Sequence, residues 1–196
     1  YDYRSCDFKA NFRLAVSHNF CTSISAPTDT FRLKDSVAPA VFPMLYATVD
    51  NGSQVSLFYQ KSDSTDTRTY HIYRSKNGGA FSLLASLPDT GGISRRYKDA
   101  AVDPMNDSYC YEIQAEDSCG NLSAFTKTHC LIQLDGHREN LSDSLSWTAY
   151  SGFKVNKYYI YRWKNGGWNK IDQVSPATQN YLDTGLQCNI TYSYKI

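Results

Sequence analysis

Six cysteines are the residues of this chain with the clearest capacity for chemistry, and their spacing favours disulfides over metal binding. No two of them form the Cys-x-x-Cys pair that is typical of zinc sites. Cys110 and Cys130 flank a predicted β-hairpin centred near Gly120, so we expect them to face each other across adjacent strands and to form a disulfide. A disulfide would place the protein in an oxidising compartment outside the cytoplasm.

The other four cysteines leave the connectivity open. Cys6 with Cys21 is a second candidate pair, because these residues bracket one predicted strand. Cys188 precedes a strand as Cys6 does, and we expect its partner in a hairpin beyond the end of this chain. Cys119 is then left over.

The histidines and acidic residues show no catalytic or metal-binding pattern. Acidic residues cluster in predicted turns at 63–66 and 99–107, where turn geometry explains them, so neither a metal nor another cofactor is expected. No nucleophile elbow, phosphate-binding loop or paired catalytic carboxylate motif is present, and the sequence predicts a chain that is not an enzyme. The four histidines lack metal-ligand spacing and are predicted to be solvated surface residues: His18, His71, His129 and His137.

Trp163 and Trp168 flank an Asn-Gly-Gly turn and are the best binding candidates in the sequence. Strand alternation puts Trp163 on the face opposite Tyr158 and Ile160, so we expect at least one tryptophan to be exposed. Aromatic pairs at the tip of a β-sandwich can stack on sugars or dock on a neighbouring domain. The alternative is that they pack on the next module or along the aliphatic stem of Lys164, and both interpretations stay open.

The segment that carries these tryptophans occurs twice in the chain. Tyr158–Asn169 reads YYIYRWKNGGWN, and Tyr70–Ser82 begins YHIYRSKNGGAF. Each copy alternates as a half-buried strand does, and Asn-Gly supplies the positive φ angles that a tight hairpin needs. The chain is therefore organised around a repeated β-hairpin.

Alignment of the copies divides the chain into three parts. Residues 1–36 are expected to hold the last hairpin of a first module and a linker, residues 37–135 a complete module of seven short strands, and residues 136–196 a module without its last strand. Because the last copy would otherwise leave an open sheet edge, we expect the chain to be a window from a longer tandem array.

The charge balance and hydropathy argue against two classes of partner. The formal net charge is +1, from 20 basic and 19 acidic residues, so no net field attracts nucleic acid or an anionic membrane. No apolar run approaches the roughly 20 residues that a membrane-spanning helix needs. We therefore expect neither nucleic-acid binding nor membrane insertion.

The repeated motifs resemble those of fibronectin type III modules. They comprise a second-strand aromatic residue (Trp147), a Tyr-x-Asp before a turn, and Tyr-x-Tyr-x-Ile-x-Ala at Tyr109–Ala115. The resemblance implies an all-β fold of tandem immunoglobulin-like (fibronectin type III) β-sandwiches. It also implies tyrosine corners, in which the hydroxyls of Tyr109 and Tyr192 bond to the backbone near the preceding turn.

The amino-acid sequences of the modules are similar to those of tandem modules in large Bacteroidetes cell-surface proteins. These proteins include gliding-motility-associated, type IX-secreted proteins. The similar stretches are SLSWTAYSGFKVNKYYIYR and AEDSCGNLSAFTKTHC. This resemblance implies an extracellular location, on the exterior of the outer membrane. Asp35-Ser36-Val37 and Asp143-Ser144-Leu145 match the short Asp-Ser/Thr-apolar motif that this group uses for O-glycosylation, so Ser36 and Ser144 are candidate sites.

The function expected from these observations is non-catalytic. The chain would be a structural or adhesive segment of a large secreted bacterial cell-surface protein, in contact with neighbouring modules and with other surface proteins, secretion-system proteins or glycans. The alternative is an accessory module, a spacer or a carbohydrate binder, of a secreted multidomain enzyme. The sequence that flanks this segment would distinguish the two.

Overall fold

The computed structural model describes residues 6–50 and 53–196, and the regular structure in these residues is entirely β. Residues 1–5 of the first predicted part and residues 51–52 of the second lie outside the described residues. In the part of the chain that is described, no helix has the length and hydrophobicity needed to cross a bilayer. The strands are β1 (Asp7–Ala10), β2 (Ala15–His18), β3 (Cys21–Ile24), β4 (Phe31–Lys34), β5 (Met44–Asp50), β6 (Gln54–Gln60), β7 (Thr67–Lys76), β8 (Ser82–Pro88), β9 (Ser94–Asp99), β10 (Tyr109–Asp117), β11 (His129–Cys130), β12 (Leu134–Glu139), β13 (Ser142–Trp147), β14 (Tyr158–Lys164), β15 (Gly167–Val174), β16 (Asn180–Thr184) and β17 (Tyr194–Lys195).

Strands β5 to β11 form a two-sheet structure, here called the middle sandwich. One sheet has the order β5-β6-β9 and the other β11-β10-β7-β8, and neighbouring strands are antiparallel. Strand β10 shows why the sheets stack, because its odd-numbered residues from Tyr109 to Asp117 are all buried and the residues between them are half-buried. The apolar core between the sheets contains Phe42, Met44, Ala47, Val55, Leu57, Tyr59, Tyr70, Ile72, Tyr109, Tyr111, Ile113, Ala115 and Leu131.

Strands β12 to β17 form a second pair of sheets, here called the last sheet pair. Its strand orders are β12-β13-β16 and β15-β14-β17, which repeat the arrangement of the middle sandwich without a strand equivalent to β11. The buried core residues are Leu145, Trp147, Tyr158 and Ile160. The all-β, immunoglobulin-like architecture expected from the sequence is confirmed.

The repeated hairpins turn as the sequence predicts. Asn165 and Gly166 have φ angles of 55° and 77°, and Asn77 and Gly78 have 51° and 71°. In β14 and β15 the residues that flank this turn, Lys164 and Gly167, are paired. Two successive positive φ angles are typical of the type I′ turn, whose twist matches that of the two strands, so the Asn-Gly pair closes both hairpins.

Both predicted tyrosine corners are present. The Asp103 N–H donates to the Tyr109 hydroxyl at 3.1 Å, and the Gln187 N–H donates to the Tyr192 hydroxyl at 3.3 Å. Each bond ties the segment that carries the tyrosine to the connection that precedes it, which is the role of this feature in immunoglobulin-like sandwiches. Tyr109 begins β10, and Tyr192 lies two residues before β17. The fold is therefore that of tandem sandwiches of fibronectin type III type.

The last strand of the middle sandwich is shorter than the sequence predicts. A strand is expected over Ser123–Gln133, yet regular pairing is confined to His129–Cys130. The reason is that two hydroxyls replace backbone carbonyls as acceptors: Ser123 Oγ accepts the Ala115 N–H at 2.9 Å, and Thr126 Oγ1 accepts the Ile113 N–H at 3.0 Å.

The same substitution of hydroxyls for carbonyls occurs before the linker. Ser25 Oγ accepts the Leu14 N–H and Thr28 Oγ1 accepts the Phe12 N–H, each at 3.0 Å. These contacts lie between the β2–β3 hairpin and the β1–β4 pair and reproduce the geometry of Ser123 and Thr126.

His129 contradicts the expectation that all four histidines are solvated, because its side chain is buried where the middle sandwich meets the last sheet pair. Its Nδ1 lies 2.8 Å from the Tyr150 hydroxyl, which also accepts the Ala47 N–H at 2.9 Å. Burial lowers the pKa of His129 and raises the pKa of Tyr150 to about 12. Gly152 lies against the imidazole ring, and its φ of 123° is a conformation that favours glycine. Loop residues after β13 therefore join the two sandwiches.

Cys110 and Cys130 form a disulfide across β10 and β11, with their Cα atoms 4.0 Å apart. The pairing of Cys6 with Cys21 is wrong, because Cys6 is bonded to Cys119 with a Cα–Cα distance of 4.9 Å. Cys21 lies at the start of β3 in a separate hairpin, paired with His18, and its thiol is exposed and free. Cys188 is also free and exposed.

The Cys6–Cys119 bond connects the start of β1 to the turn after β10. It therefore joins two parts of the chain that the sequence assigned to different modules. Spacing within one hairpin cannot reveal such a pair, because the partners meet only when neighbouring modules pack against each other.

Candidate binding surface

The two tryptophans form a pair on the β14–β15 hairpin. Trp163 and Trp168 are cross-strand partners, and their ring centroids are 5.3 Å apart. The angle between the two ring planes is 74°, which is an edge-to-face arrangement. Their side chains are 45% and 40% exposed. The predicted exposure of at least one tryptophan is confirmed, and both rings are available to solvent.

Two tyrosines extend this exposed surface along β14. Tyr159, Tyr161 and Trp163 alternate with inward-facing residues, so they share one face at intervals of about 6.7 Å. Lys195 lies 5.0 Å from the ring centroids of both Tyr161 and Trp168, and Lys170 lies 5.1 Å from that of Tyr159. We call Tyr159, Tyr161, Trp163 and Trp168 the aromatic face.

The opposite side of β14 anchors the strand that carries the aromatic face. Tyr158 and Ile160 are buried in the core of the last sheet pair. Arg162 crosses to the other sheet, where its Nη1 donates to Asp183 Oδ2 at 2.6 Å, and the Tyr194 hydroxyl lies 2.9 Å from the same oxygen. Packing and a charge-assisted hydrogen bond thus fix the strand that presents the aromatic rings.

The equivalent strand of the middle sandwich keeps this network but lacks the aromatic face. Arg74 Nη1 donates to Asp99 Oδ2 at 2.8 Å, and the Tyr111 hydroxyl donates to that oxygen at 3.0 Å. Where the last sheet pair has Trp163, the middle sandwich has Ser75, which is buried. His71, at the position of Tyr159, has its Nε2 atom 2.6 Å from Glu116 Oε2. The residues that the two copies share form the Arg–Asp–Tyr network between the sheets, and the two copies differ on their outer faces.

The sequence pointed to the tryptophans but not to the tyrosines beside them. The same alternation that exposes Trp163 also places Tyr159 and Tyr161 on its face, so period-two parity is the signal that identifies them. Lys195 lies near this face only because β17 pairs with β14, which spacing along the chain does not show.

Two carboxylates in the last sheet pair are close enough to be considered for acid–base catalysis. Asp143 and Asp183 are cross-strand partners, and the Tyr194 hydroxyl lies 2.7 Å and 2.9 Å from their respective Oδ2 atoms. Arg138 donates two hydrogen bonds to Asp143 and lowers its pKa, whereas a general acid needs a raised pKa. Arg138 and Arg162 neutralise the pair, so its arrangement is that of a structural network.

The two candidate glycosylation sites have different surroundings. Ser36 is exposed in the linker, and the preceding Asp35 accepts the Val37 N–H at 2.9 Å. Ser144 is half-buried in β13, a central strand that pairs on both sides with β12 and β16. Ser36 is therefore the more accessible hydroxyl, and modification of either serine stays a prediction.

The strand order, the two tyrosine corners and the surface aromatic residues define a class of protein: tandem fibronectin type III-like sandwiches with a candidate binding face. No protein-family model matches the chain. Among solved structures, the FN1–FN3 domains of chicken CNTN1 cover 95% of this chain and 70% of that one, at 16% identity and a TM-score of 0.33.

Among curated proteins, the chain is similar to parts of three enzymes. An alpha-amylase of Niallia circulans is 29% identical over 165 residues, which make up 83% of this chain and 11% of that protein. An amylopullulanase of Thermoanaerobacterium saccharolyticum is 41% identical over 54 residues, which cover 27% of this chain and 4% of the enzyme. An amylopullulanase of Thermoanaerobacterium thermosulfurigenes is 39% identical over 54 residues, which cover 27% of this chain and 3% of that enzyme. The chain spans about a tenth or less of these relatives.

Proposed function

We propose that this chain is a non-catalytic accessory segment of a larger extracellular protein that acts on starch-type α-glucans. The observation that carries the proposal is the match to an alpha-amylase, which includes most of this chain but a small part of that enzyme. A segment shared in this way is expected to support catalysis performed elsewhere in the protein. The neutralised Asp143–Asp183 pair and the two disulfides agree with a non-catalytic, extracellular role.

Within this role, the aromatic face is the proposed site of glucan contact. Aromatic rings combine a large apolar surface with defined geometry, and such a patch on an exposed face favours binding of a ligand. Tyr159, Tyr161 and Trp163 extend over about 13 Å of strand, which suits a short oligosaccharide. The ammonium groups of Lys170 and Lys195 lie over the rings of Tyr159 and Trp168 and supply hydrogen-bond donors for sugar hydroxyl groups.

The second candidate function is a stalk or adhesive segment of a Bacteroidetes cell-surface protein. In it, residues 1–36 would be the last hairpin of a module with a linker, residues 37–135 a complete module, and residues 136–196 a module without its last strand. Connections between those parts favour it: the Cys6–Cys119 disulfide on one side and the His129–Tyr150 contact on the other. A disulfide at one junction and a packed side-chain contact at the other would restrict bending between modules and give a semi-rigid rod. O-glycosylation of Ser36 would accompany export in this case. A catalytic domain in the flanking sequence would favour the accessory role instead, and a type IX sorting domain would favour the stalk.

Affinity electrophoresis in gels that contain amylopectin tests glucan binding. We expect the wild-type chain to migrate more slowly in these gels than in plain gels, and Trp163→Ala and Trp168→Ala each to lose about tenfold in affinity. Tyr46→Ala is the matched control, because Tyr46 is a similarly exposed aromatic residue, stacked on Phe58, in the middle sandwich.

Two outcomes would contradict glucan binding at this face. One is unchanged migration of the wild-type chain in amylopectin. The other is an equal loss of retardation in Tyr46→Ala and the tryptophan variants, which would indicate a general effect on the fold. Hydroxyethyl cellulose in the gel serves as the chemical control, since a β-linked glucan should not slow the chain to the same degree.

A further inference from the structure

We propose that Asp35, Asp66 and Asp117, together with the hydroxyl of Thr67, form a calcium-binding site where the linker meets the middle sandwich. One carboxylate oxygen from each aspartate lies within 4.8 Å of the others. Asp35 follows β4, Asp66 precedes β7 and Asp117 ends β10, so three separate segments bring the oxygens together.

The backbone around the cluster holds these segments in place. The Ser118 N–H donates to the Asp66 carbonyl at 3.1 Å. Asn121 Nδ2 donates to the Asp117 carboxylate at 2.8 Å and also lies 3.5 Å from the Asp35 carbonyl. The cluster is therefore part of the junction and is built from residues on both sides of it.

The carboxylates keep oxygen lone pairs for a cation. Asp117 Oδ1 accepts the N–H groups of Cys119 and Asn121, whereas Oδ2 accepts one hydrogen bond and has a second lone pair free. Asp35 accepts the Val37 N–H through Oδ1. None of the three aspartates forms an ion pair with a lysine or arginine among the residues that the structure describes.

Thr67 provides a second, independent indication of a ligand. It is only 8% exposed, and its Oγ1 is buried without a hydrogen-bond partner among the described residues. Thr67 is the cross-strand partner of Asp117 just beyond an irregularity in the pairing of β7 and β10, and both residues are buried at this end of the sheet. A buried hydroxyl without a partner is costly, and coordination of a cation beside Asp117 would satisfy it.

The chemistry of these groups selects the cation. All the ligands are oxygens, and no described histidine or cysteine contributes to the cluster, which favours a hard cation over zinc or copper. Calcium accepts irregular sets of carboxylate and hydroxyl oxygens completed by water, whereas magnesium demands a near-ideal octahedron. Bound calcium would join the linker to the sandwich beside the Cys6–Cys119 disulfide and would stiffen this junction.

The test is a calcium titration of the chelator-treated chain, followed by its melting temperature. Extracellular calcium modules bind with dissociation constants of about 10⁻⁴ to 10⁻³ M, so 10 mM CaCl₂ should raise the melting temperature by about 3–8 °C, and 10 mM MgCl₂ should raise it much less. Calcium should also slow tryptic cleavage after Lys34, because Asp35 would be held. Asp66→Asn should abolish both responses, and Asp63→Asn, an exposed change in the same loop, should preserve them.

Thr67→Val separates coordination from simple folding effects. This change removes the buried hydroxyl, so it should raise the melting temperature of the calcium-free chain and reduce the increment that calcium adds. The proposal is overturned if calcium does not shift the wild-type transition, or if Asp66→Asn responds to calcium as the wild type does.

Discussion

Replacement of Asp99 by alanine should destabilise the middle sandwich more than any conservative change on its surface. Asp99 is 2% exposed and accepts hydrogen bonds from Arg74 and Tyr111, two residues of the opposite sheet. Burial and the neighbouring carboxylate raise the pKa of Tyr111, so its hydroxyl stays protonated and needs an acceptor. Asp99→Ala leaves the Tyr111 hydroxyl without its acceptor and removes the counter-charge of Arg74, whose Nη1 then keeps only its bond to the Ala101 carbonyl. The loss of one member of a buried ion pair costs about 3–5 kcal/mol.

The assay is urea unfolding, followed by far-UV circular dichroism and by tryptophan fluorescence. A domain of this size has an m value of about 1–2 kcal/mol/M, so we expect the transition midpoint of the middle sandwich to fall by about 1.5–5 M urea. The three tryptophans of the chain, Trp147, Trp163 and Trp168, all lie in the last sheet pair, so their fluorescence provides an internal control. Their transition should move much less.

A double replacement decides whether the network or the aspartate alone is responsible. Asp99→Leu combined with Arg74→Met removes both charges, and we expect it to recover the part of the lost stability that comes from the uncompensated charge of Arg74, because an apolar pair carries no desolvation cost. The part that comes from the Tyr111 hydroxyl stays lost, because this hydroxyl still lacks the Asp99 acceptor. A midpoint change below about 0.5 M urea in Asp99→Ala would refute the reasoning, as would a double variant no more stable than the single one.

Two further predictions concern the contact between the middle sandwich and the last sheet pair. Because burial lowers the pKa of His129, the unfolded chain takes up a proton before the folded chain does as the pH falls below about 6.5. The free energy of unfolding should therefore decrease between this pH and the pKa of His129 in the folded chain, by at most about 1.4 kcal/mol per pH unit. Urea midpoints measured between pH 5 and 8 should show this decrease in the wild type and lose it in His129→Gln. Gly152→Ala should cost about 1–3 kcal/mol in the same assay, because the added methyl group meets the His129 ring at a φ of 123°, and a midpoint equal to that of the wild type would contradict this.

The two copies of the hairpin show how one scaffold carries different surfaces. Arg74 with Asp99 and Arg162 with Asp183 make the same link between sheets. The repeated Arg and the repeated Tyr-x-Asp are thus explained by one inter-sheet network. The two copies differ on the outer face of this strand, where the last sheet pair has Trp163 at the position of Ser75 in the middle sandwich.

Much of the architecture could be predicted because it depends on local patterns. Alternation of apolar and polar residues determines the faces of β7 and β14, and Asn-Gly determines the turns between hairpin strands. The Cys110–Cys130 disulfide belongs to this group, since its partners flank a single hairpin. The tyrosine corners follow from the resemblance to fibronectin type III modules, and each hydrogen bond joins residues that are close in sequence.

The length of the last strand in the middle sandwich could not be predicted in this way. Ser123 and Thr126 favour a strand by composition, but their hydroxyls take the place of the backbone acceptors and interrupt the ladder. This outcome depends on how closely the segment approaches β10, which is a property of the packed sheet.

The sequence by itself determined the class of fold, the repeated hairpin and the exposure of the aromatic residues beside its turn, because each depends on neighbours within a few residues. Only the tertiary structure decided which groups meet across module junctions. Cys6 reaches Cys119, Tyr150 reaches His129, and Asp35 reaches Asp117, all over separations at which spacing along the chain carries no information. These contacts form where separately folded sheets pack together, so they follow from the shape and orientation of whole modules.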